Sequence, residues 1–161
     1  MEDEMNQEVQ AAIRPMIGKA CCRARVGSPR SLSIGFGKRL PHGHRRLGDS
    51  YYGEWEIGTY YGSWRIIKEG VIICGSNDTD GCEDLSRRLM ALEFGRILSV
   101  RNVDAYDISA EFDSGIVVNF LATSSDEDER FHIFCPDSIY VEFSVGGVWR
   151  IGKSNAPWEG R

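Results

Sequence analysis

Three histidines and five cysteines are the side chains here best suited to ligating a metal or attacking a carbonyl. His42 and His44 flank Gly43 in a basic loop, a spacing that suits two imidazole ligands. No carboxylate or thiol stands close in sequence to complete a coordination shell. Cys135 follows His132 by three residues, and a thiol nucleophile needs a base and an orienting group. Three apart on a strand, the two side chains point to opposite faces. His132 alternates with Phe131 and Ile133, which puts it on the polar face of its strand. Cys21, Cys22, Cys74, Cys82 and Cys135 are odd in number and contain no CxxC, so they read as free, mostly buried thiols. Asn77 to Asp84, "NDTDGCED", has the acids of a calcium loop, yet its twelfth position is Arg88 where a glutamate is required. Those acids read as the cap of a helix. "GFGKR" lacks the rest of a phosphate-binding loop, and its glycines read as relief of crowding in a bent strand. Neither HExxH nor GxSxG occurs. No metal, cofactor or catalytic residue is therefore expected. One enzymatic alternative stays open, a small hydrolase built from carboxylates and His132, because sequence alone places no acid opposite another.

Charge is the stronger signal. From Arg14 to Arg46 there are nine Lys or Arg and no acid, whereas from Leu47 onward twenty acids face ten bases. The basic stretch 14–46 makes a nucleic-acid-binding accessory protein a second alternative. The net charge of -5, and a single aromatic (Phe36) among those bases, argue against it and for internal pairing with the acidic half. The densest acidic piece is "TSSDEDER", Thr123 to Arg130. As a hairpin loop, Asp126, Glu127, Asp128 and Glu129 would steer a basic partner into contact. Tyr52, Tyr60 and Tyr61 fall at loop or turn positions and would anchor it, tyrosine being rigid, broad and polar at its tip.

The elements that must position these groups are mostly strands. Met5, Val9 and Ile13 predict a short N-terminal helix limited by Pro15, within an acidic segment 1–16. Leu85, Leu89 and Leu92 share one face of a helix over 82–92, capped by Asp80 or a neighbour. The remainder of 17–161 alternates apolar and polar in short, turn-separated runs, among them "SLSIGF", "YDISAEF", "IVVNFLA" and "IYVEFSV". This predicts one mostly antiparallel β domain with a strongly bent or barrel-like sheet. No run approaches bilayer length. The start "MEDEMNQEVQ" lacks the basic and apolar regions of a secretory signal, so cytosol is the expected compartment.

"GEWEIGTYYGSWRIIK", from Gly53, echoes "YVEFSVGGVWRIGK", from Tyr140. Each has an acid before an aromatic, a glycine turn and a Trp-Arg-Ile ending. The echo fits two fused halves, 17–76 and 95–153, and it fits coincidence. Either way the two stretches read as tryptophan-centred hairpins. Their Trp and Ile side chains would face the core, with Arg65 and Arg150 outside.

"GEWEIGTYYGSWRI", the central helix and the closing "VWRIGKSNAPW" resemble small bacterial all-β proteins, some of them similar to immunity proteins encoded beside contact-delivered and other polymorphic toxins. The likeness spans most of the chain after Ile17. It implies a noncatalytic intracellular protein that neutralises a cognate toxin by binding it. No binding residue is carried over from that resemblance.

Overall fold

The computed structural model describes residues 6–42, 51–60, 62–125, 129–144 and 147–155. Among them the chain order begins with α1 (Gln7–Ile13) and continues through β1 (Cys21–Gly27), β2 (Ser31–Pro41), β3 (Tyr51–Thr59), β4 (Ser63–Lys68) and β5 (Val71–Gly75). Helix α2 (Cys82–Met90) separates these from β6 (Ile97–Asn102), β7 (Ile108–Phe112), β8 (Ile116–Leu121), β9 (Glu129–Cys135), β10 (Ile139–Ser144) and β11 (Val148–Lys153). The strands form two sheets, ordered β1-β2-β3-β9-β10-β11 and β5-β4-β8-β7-β6. Every named strand pair is antiparallel. No helix among the described residues is long and apolar enough to cross a membrane.

Strand alternation supplies the core. In β8, Ile116, Val118 and Phe120 are buried while their neighbours are half-exposed. The inner faces of the two sheets meet through rings. Phe36 of β2 stacks on Phe112 of β7 at 5.8 Å, and Phe120 of β8 meets Phe131 of β9 at 4.7 Å. Trp55, Trp64 and Trp149 are all buried, as their spacing predicts. Two of the indoles also bond across: Trp64 Nε1 donates to the Arg30 carbonyl at 2.9 Å, and Trp149 Nε1 to Asn102 Oδ1 at 3.0 Å.

The first tryptophan stretch is not the hairpin its sequence predicts. Its β3 half belongs to the six-stranded sheet and its β4 half to the five-stranded one, so the chain crosses between layers around Tyr60. The second stretch is a true hairpin, β10–β11, with Phe143 opposite Trp149. The echoed segments thus occupy different places in the topology. Only residues 60–62 separate the end of β3 from the start of β4 in the other sheet.

Both helices form where apolar spacing predicts them. Asn6 Oδ1 accepts the Val9 N–H of α1 at 2.9 Å, and Val9 and Ile13 are buried. Helix α2 buries Leu85 and Leu89 but ends at Met90. Its N-cap is Gly81, not Asp80, and no side chain caps it. Asp80 instead takes Arg88 Nη1 at 2.7 Å.

Helix α2 lies against β1. Ser86 Oγ accepts the Val26 N–H at 2.9 Å and donates to the Val26 carbonyl at 3.2 Å, filling backbone positions that β1 presents away from β2. Residues 18–21 tie the sheets together on this side. Gly18 N–H bonds the Ile97 carbonyl (2.7 Å), Ile97 N–H the Lys19 carbonyl (3.1 Å) and Cys21 N–H the Gly95 carbonyl (2.8 Å). No pairing among the described residues joins β11 to β5, so the two sheets do not make the closed barrel that many short strands allow.

Candidate functional site

With Trp55, Ile57, Phe131 and Ile133 turned inward, the alternate residues of the six-stranded sheet face out. The register lines them up in two rungs that cross all six strands. One runs Arg25, Ser33, Gly58, His132, Glu142, Arg150. The other runs Arg23, Gly35, Glu56, Phe134, Tyr140, Gly152. An outward face carrying such groups is ordinarily wet. Here Arg23, Glu56, His132 and Glu142 are only 5%, 6%, 3% and 2% exposed.

They are covered because the face is concave and aromatic side chains close over it. The recess measures about 680 Å³, with Arg23, Glu56 and His132 in its lining and Tyr52, Tyr60, Phe134 and Leu40 among its walls. Two glycines shape it. A Cβ on Gly35 would sit 2.2 Å from Glu56 Oε2, so the absence of a side chain lets that carboxylate lie flat across β2. A Cβ on Gly58 would sit 2.1 Å from the Leu32 carbonyl oxygen, an approach that only glycine permits. The glycine of "GFGKR" at position 35 does relieve crowding, and what crowds it is a carboxylate.

The polar groups are tied to one another. Arg23 Nη1 lies 2.5 Å from Glu56 Oε1 and 3.1 Å from Ser33 Oγ, and its guanidinium sits 5.4 Å from the Tyr52 ring centroid. His132 lies among rings: Tyr60 at 4.6 Å, Phe134 at 5.1 Å and Tyr140 at 6.1 Å. Glu142 faces Arg150 at 3.9 Å. Glu54, at the rim, takes Lys19 at 3.7 Å and the Lys38 N–H at 3.0 Å. Cys135 also borders the recess. Burial pushes its thiol up to about 12, so at neutral pH it is protonated.

Two of the anchors expected from sequence stand at this recess. Tyr60 is 44% exposed at its mouth and Tyr52 forms a wall. Tyr61, Asp126, Glu127, Asp128 and His44 lie outside the described residues. Glu129 opens β9, with its backbone opposite Ser144, and its side chain is likewise outside them. The His42 ring lies tilted against Tyr52, 4.4 Å between centroids. No three His, Cys, Asp or Glu among the described residues are grouped to hold a metal ion. The calcium-like acids Asp78 and Asp80 converge on Arg88, at 3.4 and 2.7 Å. All five cysteines are free.

From the basic stretch, Lys19 and Arg23 each pair with a carboxylate of β3. Ser33, Glu56 and Phe134 are the site residues that sequence reasoning did not single out, and Arg23 enters it only as one base of the stretch 14–46. Glu54 and Glu56 alternating with Trp55 and Ile57 mark a polar strand face, and the glycines at 35 and 58 hint at something large crossing it. Neither signal says which strands lie alongside. No family model matches this chain, and neither a curated protein nor a solved structure matches it.

Proposed function

We propose that this chain is a noncatalytic binding protein and that the concave outer face of its six-stranded sheet is the recognition surface. The observation that carries this is a recess of about 680 Å³ walled by Tyr52, Tyr60 and Phe134 over a floor of mutually paired polar groups. That volume falls in the range of ligand-sized sites, roughly 300–1,000 Å³. Fixed ion pairs favour recognition over proton transfer, since their charges are already committed to each other.

The most concrete form of this reading is an immunity protein that neutralises a toxin with a basic surface. Asp126, Glu127, Asp128 and Glu129 then speed the encounter, and Tyr52, Tyr60 and Tyr61 anchor it. The test is capture of the cognate partner on the full chain, followed by Tyr60→Ala and Phe134→Ala. Loss of a central aromatic anchor costs about 2 kcal/mol or more, roughly thirty-fold in Kd. Neutralising the four acids slows association at low salt. Partner binding untouched by both aromatic variants would reject the concave face as the contact surface.

One observation favours a second reading. Glu56 and His132 do converge in one concavity, the arrangement that a small hydrolase requires. That reading predicts turnover of a chromogenic ester or glycoside, abolished by Glu56→Gln and by His132→Gln.

A further inference from the structure

The concave face has a specific electrostatic character. Arg23 and Arg25 face three carboxylates in its lining, Glu54, Glu56 and Asp137. Glu54 is held by Lys19 from outside the recess and Arg23 is held by Glu56, so the charges balance. A phosphate on Arg23 would have to displace Glu56 in a recess whose charges already balance. An ammonium would need an aromatic face backed by uncompensated acid, and the cation already set against Tyr52 is Arg23. What a balanced floor does offer is donors and acceptors side by side: Arg23 and Ser33 next to Glu56, with His132 beyond Gly58. A hydroxyl both donates and accepts, so neighbouring hydroxyls on one ring can meet such a floor without stranding a charge. Gly35 and Gly58 keep the floor flat, and the exposed Tyr60 ring offers an apolar surface for the C–H face of a ring.

We infer that this recess takes a neutral, hydroxyl-rich ring, the chemistry of an uncharged sugar. It rests on the concave face being a recognition surface, and it adds to the protein partner proposed there a small ligand seated in the recess itself. Two sources carry this chemistry, a hexose derivative and the ribose of a nucleoside.

Thermal shift and calorimetric titration of the full chain test it. The neutral probes are N-acetylglucosamine and uridine, the anionic probe is inorganic phosphate and the cationic probe is free arginine. At least one neutral probe is expected to bind saturably, while phosphate and arginine at the same concentration do not. Response to N-acetylglucosamine alone identifies the hexose source, and response to uridine but not to N-acetylglucosamine identifies the ribose. Tyr60→Ala, at a position 44% exposed, is expected to weaken binding at least ten-fold. Glu56→Gln, which alters the floor, is expected to do the same. Phosphate or arginine binding as tightly as the neutral probes would overturn the inference, as would no response to either neutral probe. If Tyr60→Ala and Phe134→Ala lose the protein partner while no neutral probe binds, the concave face stands as the surface and only its assigned chemistry fails.

Discussion

Glu56→Ala isolates the pairing at the floor of the recess. It removes the carboxylate that Arg23 holds at 2.5 Å, and Arg23 is 5% exposed. An exposed ion pair of this kind contributes at most about 1 kcal/mol. Breaking a buried pair costs about 3–5 kcal/mol, because the remaining charge stays desolvated. Burial decides between the two, so the larger figure applies. In a chain of 161 residues, each kcal/mol moves the melting temperature by about 2–4 °C. The expected fall is then roughly 6–20 °C by the same scaling. Urea unfolding followed by tryptophan fluorescence gives the free energy directly, since Trp55, Trp64 and Trp149 are buried in the folded chain. The double variant Arg23→Met/Glu56→Leu removes both charges and fills their space, so it should regain more than half of the loss. A single-variant cost below about 1 kcal/mol, or a double variant less stable than Glu56→Ala, would show that the pair is effectively solvated and refute the buried-floor account.

Three further outcomes are expected. Gly58→Ala forces a Cβ to 2.1 Å from the Leu32 carbonyl oxygen, and denaturant unfolding should show a loss of about 1–3 kcal/mol or more from overpacking. Gly81→Ser supplies the side-chain cap that α2 lacks at a position where a Cβ meets nothing within 4 Å, and should gain a few tenths of a kcal/mol. Burial pushes the thiols of Cys21 and Cys135 up to about 12 from 9.0. The folded chain keeps protons that the unfolded chain releases, so this stability is full below pH 9 and declines as pH climbs toward 12. The decline in urea midpoint should be shallower in Cys21→Ala/Cys135→Ala than in the native chain.

Local pattern made the fold class readable. Alternation in "IVVNFL" and the Leu85/Leu89 spacing identify β8 and α2 because each depends on residues a few positions apart. Pairing between distant strands is not written that way. Nothing in "GEWEIGTYYGSWRI" says that its two strands join different sheets, because a short glycine-containing connection fits a hairpin and a crossover equally well. The site suffers from the same blindness. Tyr52 and Tyr60 were visible as aromatics near turns. Arg23 and Glu56 lie thirty-three positions apart, and only the β1-β2-β3 register brings them together. His132 looked like an ordinary outward residue, since burial of an outward strand face requires curvature that no single strand encodes.

Ser86 has a consequence beyond holding a helix in place. An open sheet of six strands has two borders at which a foreign strand could be recruited. On the β1 border, the Val26 amide and carbonyl are already occupied by one hydroxyl, and Cys21 is bonded to the Gly95 carbonyl. Lateral growth of that layer at the β1 border, whether by strand exchange between molecules or by fibre formation, is thereby disfavoured.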